Sequence, residues 1–238
     1  MLASGVASAA PNASNGKTIF ENGKGDEVQP CLTCHMDRAQ GSDDMGAPRL
    51  AGIGYGYVVK QLTNFADDKR VPEGLGAVMP GFAKALTPQE RTDVAAYVNS
   101  IKDEPELSDL KALAEAGNEV GDASKGYQLV MTGAERKTAE GRSVHVAACS
   151  ACHDYNGRGV DPVFPKIGQQ KYTYLVNQLQ NWKSGARAND PSAIMRNVAK
   201  NLTDEDIHNV AAYLSKAPPT RGGGDAVPNN DSLLHGAH

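Results

Sequence analysis

The sequence has no run of eighteen apolar residues, which excludes an ordinary membrane-spanning helix. Large rings are also scarce: Phe, Trp and Tyr together make up 5% of 238 residues. That is little aromatic volume for a chain long enough to hold two domains, so another apolar body is expected to help fill the cores. An excess of positive charge is missing too. Lys and Arg number 24 against 28 Asp and Glu, a net charge of −4, which excludes an electrostatic nucleic-acid binder. No segment alternates apolar and polar residues convincingly, so strands are not expected. Cysteine occurs only four times, far below the density of a disulfide scaffold.

Those four are placed in two identical patterns, Cys31-Leu32-Thr33-Cys34-His35 and Cys149-Ser150-Ala151-Cys152-His153. Two thiols two residues apart, followed at once by His, form the attachment signal for c-type haem. The thiols add to the haem vinyl groups and the imidazole is carried under the iron. Two other readings stand beside it. A zinc ribbon would draw four thiolates from two such pairs, although its knuckles usually lie closer and need no His after each. A redox dithiol would need a thioredoxin-like βαβ pattern, which is missing.

The chain repeats itself. Gly16 to Gly23 has the glycine spacing of Gly126 to Gly133, and each segment leads to a Cys motif, with eight more residues in the second copy. Pro48 to Leu62 (PRLAGIGYGYVVKQL) matches Pro165 to Leu179 (PKIGQQKYTYLVNQL) without a gap, placing Tyr57 opposite Tyr174. Met79 and Met195 each precede a Leu-Thr pair by seven residues, and Tyr97 and Tyr213 follow that Leu by eleven. The offset drifts only from 118 at the cysteines to 116 here, so this is a duplicated domain.

Each copy reads as helical. Thr87 and Thr203 are N-caps with Glu90 and Asp206 three residues on, and Pro88 occupies the first helical position. Val94, Tyr97, Val98 and Ile101 form one apolar stripe, as do Ile207, Val210, Ala211 and Leu214. Shorter amphipathic helices carry Val58, Leu62 and Phe65, then Leu175, Leu179 and Trp182. The expected division is an N-terminal domain over 11–103, an acidic linker over 104–120 and a C-terminal domain over 121–217. The linker should hold a short helix bearing Leu107, Leu110 and Leu113. Residues 1–10, with Ala7-Ser8-Ala9, read as the remnant of an export signal, and 218–238, rich in Gly, Pro and Asn, as a flexible tail.

A haem iron that shuttles electrons needs a second axial donor, and a neutral thioether favours Fe(II) and raises the potential. Of six methionines only Met79 and Met195 recur at equivalent places, in loops where a core-filling Met would be odd. They are the expected partners of His35 and His153. The remaining histidines, His145 among them, read as surface residues.

From Ser14 to Lys216 these motifs resemble the dihaem cytochrome c4 family: CxxCH, a Pro-basic-Leu/Ile segment leading to Tyr and Gln-Leu, then Met before a Leu-Thr helix, all twice. The resemblance implies an all-α fold of two tandem class I cytochrome c-like domains. Each would be wrapped around one covalent haem and related to the other by a pseudo-twofold axis, with haem edges facing each other. It also implies that the carbonyls of Pro48 and Pro165 accept from the ring N–H of His35 and His153, and that Tyr57 and Tyr174 approach haem propionates. The longer acidic linker, the insertion before Cys149 and the tail depart from the family pattern.

Charge is unevenly spread, which suits steering toward two different partners. Residues 11–103 carry net −2, 104–122 net −5 and 123–217 net +4. The leading functional reading is a periplasmic carrier of single electrons from a donor dehydrogenase or membrane complex to a terminal oxidase or reductase. Peripheral membrane association is compatible with it. The alternative is a dihaem electron-transfer subunit of a dehydrogenase complex. An enzyme, such as a thiosulfate dehydrogenase or peroxidase, fits less well. Both irons have a Met at the expected place, and all four cysteines are committed, leaving none to serve as an axial ligand.

Overall fold

The structure, a computed structural model, describes residues 9–137 and 141–219. Most of the export-signal remnant and nearly all of the tail lie outside those residues. Helix starts follow the side chains that can cap them. Asn12 accepts from the backbone of Ser14 and Asn15 to open α1 (Ala13–Asn22), and Asp122 does the same for α7 (Ala123–Thr132). Thr87 and Thr203 form complete capping boxes with Glu90 and Asp206, opening α5 (Pro88–Ser100) and α11 (Asp204–Ser215). Between them come α2 (Leu32–His35), α3 (Tyr55–Ala66), α4 (Met79–Ala85) and α6 (Leu110–Glu115). Beyond α7 lie α8 (Ser150–His153), α9 (Tyr172–Ser184) and α10 (Ile194–Ala199).

In each half the first and last helices cross in backbone contact, α1 on α5 and α7 on α11. A Cβ on Gly16 would lie 1.9 Å from the Asp93 carbonyl oxygen, and one on Gly126 would lie 1.9 Å from that of Asn209. Only glycine allows either crossing. Edge-to-face ring pairs seal both, Phe20 with Tyr97 at 5.4 Å and Tyr127 with Tyr213 at 5.3 Å between centroids.

Two separate cores result. One gathers Ile19, Phe20, Val58, Val94 and Val98; the other gathers Leu129, Val130, Leu175, Ile207, Val210 and Leu214. Leu113 of α6 packs into the second core, so the linker is docked on the C-terminal half.

Four expectations need correction. A two-stranded antiparallel sheet, β1 (Ala134–Lys137) with β2 (Ser143–Val146), fills the insertion before Cys149, where no strand was expected. Leu107 precedes the linker helix and is exposed, because Asp109 caps the helix two residues later. Met79 and Met195 sit in the first turns of α4 and α10 and not in loops. His208 is not a surface residue: its side chain is 12% exposed and its Nδ1 lies 2.8 Å from the Tyr172 hydroxyl.

Candidate functional site

One helical turn brings each Cys–Cys–His set together. The His35 amide donates to the Cys31 carbonyl at 3.0 Å, and that of His153 to Cys149 at 2.8 Å. Residues i, i+3 and i+4 therefore share one side of α2 and of α8. Both imidazoles are buried, 7% and 6% exposed. Each Nδ1 lies 2.9 Å from a prolyl carbonyl, Pro48 for His35 and Pro165 for His153. A carbonyl can only accept, so the proton belongs on Nδ1 and Nε2 keeps its lone pair. Burial pushes both imidazoles below the ordinary His pKa, against the opposing pull of the prolyl carbonyls. At neutral pH each is a neutral, oriented nitrogen donor. Burial also pushes the Cys31 and Cys149 thiols up to about 11, so neither would be a thiolate at neutral pH.

Zinc is not served by this arrangement. Among the described residues no three of His, Cys, Asp and Glu converge on a point that could hold a metal ion. A haem fits better, because it needs two uncharged sulfurs and one nitrogen from each turn. Met79 and Met195 are half-buried. Val78 and Ile194, the residues just before Met79 and Met195, are exposed, as is Leu75 (68%) in the turn leading into α4. Apolar surface of this kind suits a flat apolar group at each centre. His145 plays no part there; it pairs with Glu135 at 2.8 Å on the exposed face of the hairpin.

The halves are joined next to these centres. The Gln170 side-chain amide brackets the Arg49 backbone, accepting from its N–H at 2.7 Å and donating to its carbonyl at 2.9 Å. Arg49 directly follows Pro48, so the C-terminal half braces the segment that orients His35. Asp103 lies against the Arg49 guanidinium and accepts from Lys166 at 2.6 Å, linking the residues that follow Pro48 and Pro165. Burial lowers Arg49 to about 10, and burial with Arg49 lowers Lys166 to about 8.

Helix capping is exchanged between the halves. Asp161 accepts from the amides of Gly56 and Tyr57 at 2.9 and 2.8 Å at the start of α3. Its repeat counterpart Asp43 accepts from Thr173 at 3.0 Å at the start of α9. Tyr57 and Tyr174 lie at this junction. The Tyr57 hydroxyl accepts from Arg187 at 3.1 Å and that of Tyr174 from Arg70 at 3.0 Å. Sequence reasoning missed both arginines, both aspartates, Gln170 and Asp103. The same repeat alignment that paired the methionines pairs Arg70 with Arg187 and Asp43 with Asp161, and it could have found them.

Known proteins agree with this architecture. The cytochrome c family description matches residues 13–102 and again 138–218. Cytochrome c4 of Stutzerimonas stutzeri is 33% identical over 201 residues, 82% of this chain and 87% of that one. The thiosulfate dehydrogenase electron acceptor of Stutzerimonas stutzeri (strain A1501) is 32% identical over 204 residues, 85% of this chain and 86% of that one. Among solved structures, a thiosulfate dehydrogenase from Marichromatium purpuratum superposes with a TM-score of 0.74 at 29% identity. It covers 93% of this chain, which spans only 46% of that longer one. With two helical domains, two Cys–Cys–His turns and these relatives, the chain belongs to the cytochrome c family as a tandem, dihaem electron-transfer protein of the cytochrome c4 kind, carrying two haem c groups.

Proposed function

We propose that this cytochrome accepts single electrons from a thiosulfate-oxidising dehydrogenase in the periplasm and passes them to a terminal oxidase or reductase. The observation that carries the electron-relay reading is the pair of buried, neutral imidazoles, each fixed by a prolyl carbonyl in halves that brace one another. The choice of donor is supported by the relatives named as electron acceptors of thiosulfate dehydrogenase. Among the described residues no helix is long and apolar enough to cross a membrane.

In this reading Cys31 with Cys34, and Cys149 with Cys152, hold the haems as thioethers. His35 and His153 would hold the iron through Nε2, with Met79 and Met195 as the second donors. Tyr57 and Tyr174 stand by the propionates, and residues 11–103 and 121–217 are the two haem domains. The haem supplies an iron that alternates between ferric and ferrous. The protein contributes ligand choice, burial and a shared interface, and no bond in a substrate is made or broken here. A second reading, as the electron-transfer unit of a dehydrogenase complex, is favoured by one fact. A unit of this fold forms part of a longer chain named as a thiosulfate dehydrogenase.

The test mixes the oxidised holoprotein with a thiosulfate dehydrogenase and thiosulfate and follows reduction of both haems by absorbance. Rapid reduction that slows with added salt is expected, with none when either component is omitted. Failure to be reduced refutes the choice of donor. Thiosulfate turnover by the cytochrome alone, or fast CO binding to the reduced folded protein, refutes the carrier reading. Co-purification of the two proteins in a stable complex decides for the subunit.

A further inference from the structure

The two methionines stand in turns that are held very differently. On the C-terminal side the Asp190 side chain is 4% exposed and closes on Arg196, the residue after Met195. Its carboxylate accepts from the Arg196 amide at 3.0 Å and from the guanidinium Nε at 2.8 Å. The Asp190 carbonyl accepts a longer third bond, from the Ala193 amide at 3.4 Å. The bonded Arg196 amide belongs to the peptide that leaves Met195, so the carboxylate fixes the backbone that carries this thioether. Burial raises the Asp190 pKa, but the amide and side chain of Arg196 outweigh it and hold the carboxyl below the usual range. The clasp is therefore charged at neutral pH. Between its two ends, Ser192 and Ala193 have φ values of 52° and 55°. Consecutive non-glycine residues in the left-handed region persist only where their surroundings hold them there.

The offset of 116 that pairs the methionines also pairs Asp190 with Gly74 and Arg196 with Pro80. Neither half of the clasp can form in the first copy. Gly74 has no carboxylate, and Pro80 has no amide hydrogen to give one. Gly76 stands where the second copy has Ser192, so two glycines precede Met79 at positions that carry side chains before Met195. No side-chain hydrogen bond caps α4 or the turn over Gly74–Val78. Helix α4 is anchored at its opposite end, where Arg91 donates to the carbonyls of Ala83 (2.9 Å) and Leu86 (2.7 Å).

We propose that Asp190 is a positioning residue that keeps Met195 at the C-terminal haem by clasping Arg196, and that the unclasped Met79 is the sulfur donor an incoming ligand displaces first. This rests on the His/Met dihaem reading above. The class of ligand admitted is a small neutral nitrogen donor such as imidazole. Its nitrogen enters as the thioether leaves, and the ferric state is unchanged. Entry requires the methionine to swing aside with its turn, so the less constrained turn yields at the lower ligand concentration.

The experiment titrates the ferric holoprotein with imidazole and follows the sulfur-to-iron charge-transfer band. Two steps of equal amplitude are expected, separated on the order of tenfold in imidazole concentration. Met195→Ala retains only the Met79 sulfur and should lose its band in the lower step. Met79→Ala should keep its band until the upper one. Asp190→Asn, which keeps the volume and loses the charge, should bring the upper step down toward the lower and leave the lower unmoved. Arg196→Lys keeps a cation and the backbone donor and should retain more of the separation than Arg196→Gln. Where Asp190→Asn does not fold, the two Arg196 variants make the same comparison. Coincident steps in the parent, or a Met79 band that outlasts that of Met195, overturn the order of displacement. An upper step unmoved in folded Asp190→Asn and Arg196→Gln overturns the clasp. So does an equal shift of both steps, which a general loss of stability would give. A parent that carries two haems without any such band overturns the His/Met reading itself.

Discussion

Replacing Gly126 with alanine places a methyl group 1.9 Å from the Asn209 carbonyl oxygen and 2.6 Å from its carbonyl carbon. Both obstacles are backbone, so no side-chain rotation relieves them. Helices α7 and α11 must move apart by more than an ångström. Against this stands the ordinary gain of exchanging Gly for Ala inside a helix, about 1 kcal/mol. Overpacking of a tight contact costs about 1–3 kcal/mol. Separation also weakens the Tyr127–Tyr213 ring contact, a term of about 0.5–1.5 kcal/mol. The expected net loss is about 2 kcal/mol, and Gly16→Ala should behave alike at the crossing of α1 and α5. Gly81, in α4, has nothing within 4 Å of its would-be Cβ and serves as the control. Gly81→Ala should be neutral or stabilising by up to about 1 kcal/mol. Urea unfolding of the holoprotein, followed by Soret circular dichroism, measures all three. If Gly126→Ala matches the parent or exceeds it, steric necessity is not what keeps glycine at the crossing.

Met79→Ala and Met195→Ala should each abolish the sulfur-to-iron charge-transfer band of one haem and lower its potential. An unchanged spectrum in either variant reassigns that ligand. Asp161→Ala removes two bonds to the start of α3, and by the usual value of an N-cap should cost about 1–2 kcal/mol. Asp43→Ala removes one bond at the start of α9 and should cost less; equal and negligible effects in urea midpoints refute exchanged capping. Asp206 accepts from Arg136 at 2.6 Å and closes the capping box of α11. Burial raises its pKa, but the bonds from Arg136 and Thr203 outweigh it and hold the carboxyl below the ordinary range. Because the folded-state pKa is the depressed one, the stabilisation is fully present above the unfolded value near 4 and is lost as pH falls through the folded value. The urea-midpoint gap between parent and Asp206→Asn should therefore narrow from pH 6 to pH 3; a constant gap contradicts the assignment.

Local chemistry was legible in the sequence where it depends on a few neighbours. The Thr87 and Thr203 boxes and the Cys–Cys–His turns are complete within five residues, and the structure forms each one. The first strand of the hairpin was not legible, because its inward positions are the small Ala134 and Arg136, whose stem and charge serve Asp206 seventy residues away, and the alternation of Ser143 to Val146 is only four residues long. No alternation scan registers an arginine as an inward residue. The interface was hidden for a related reason. Arg70 meets Tyr174 and Arg187 meets Tyr57 across separations of 104 and 130 residues, and each looks like a solvated charge in its own segment. The repeat alignment contained the clue, since unremarkable residues at matched positions in both copies ask for a common cause.

The acidic linker has a consequence of its own. Two like halves facing each other approximate a twofold figure, but the strand that joins them passes only once and cannot obey the symmetry. Its helix lies on the second core alone through Leu113, and the single Asp103 that precedes it must serve both Arg49 and Lys166. Lys171 and Lys216 donate to linker carbonyls at Glu106 and Ser108, again on the C-terminal side. Two centres born as copies are therefore held in unequal surroundings. Matching ligands in the two copies thus do not make the two environments equivalent.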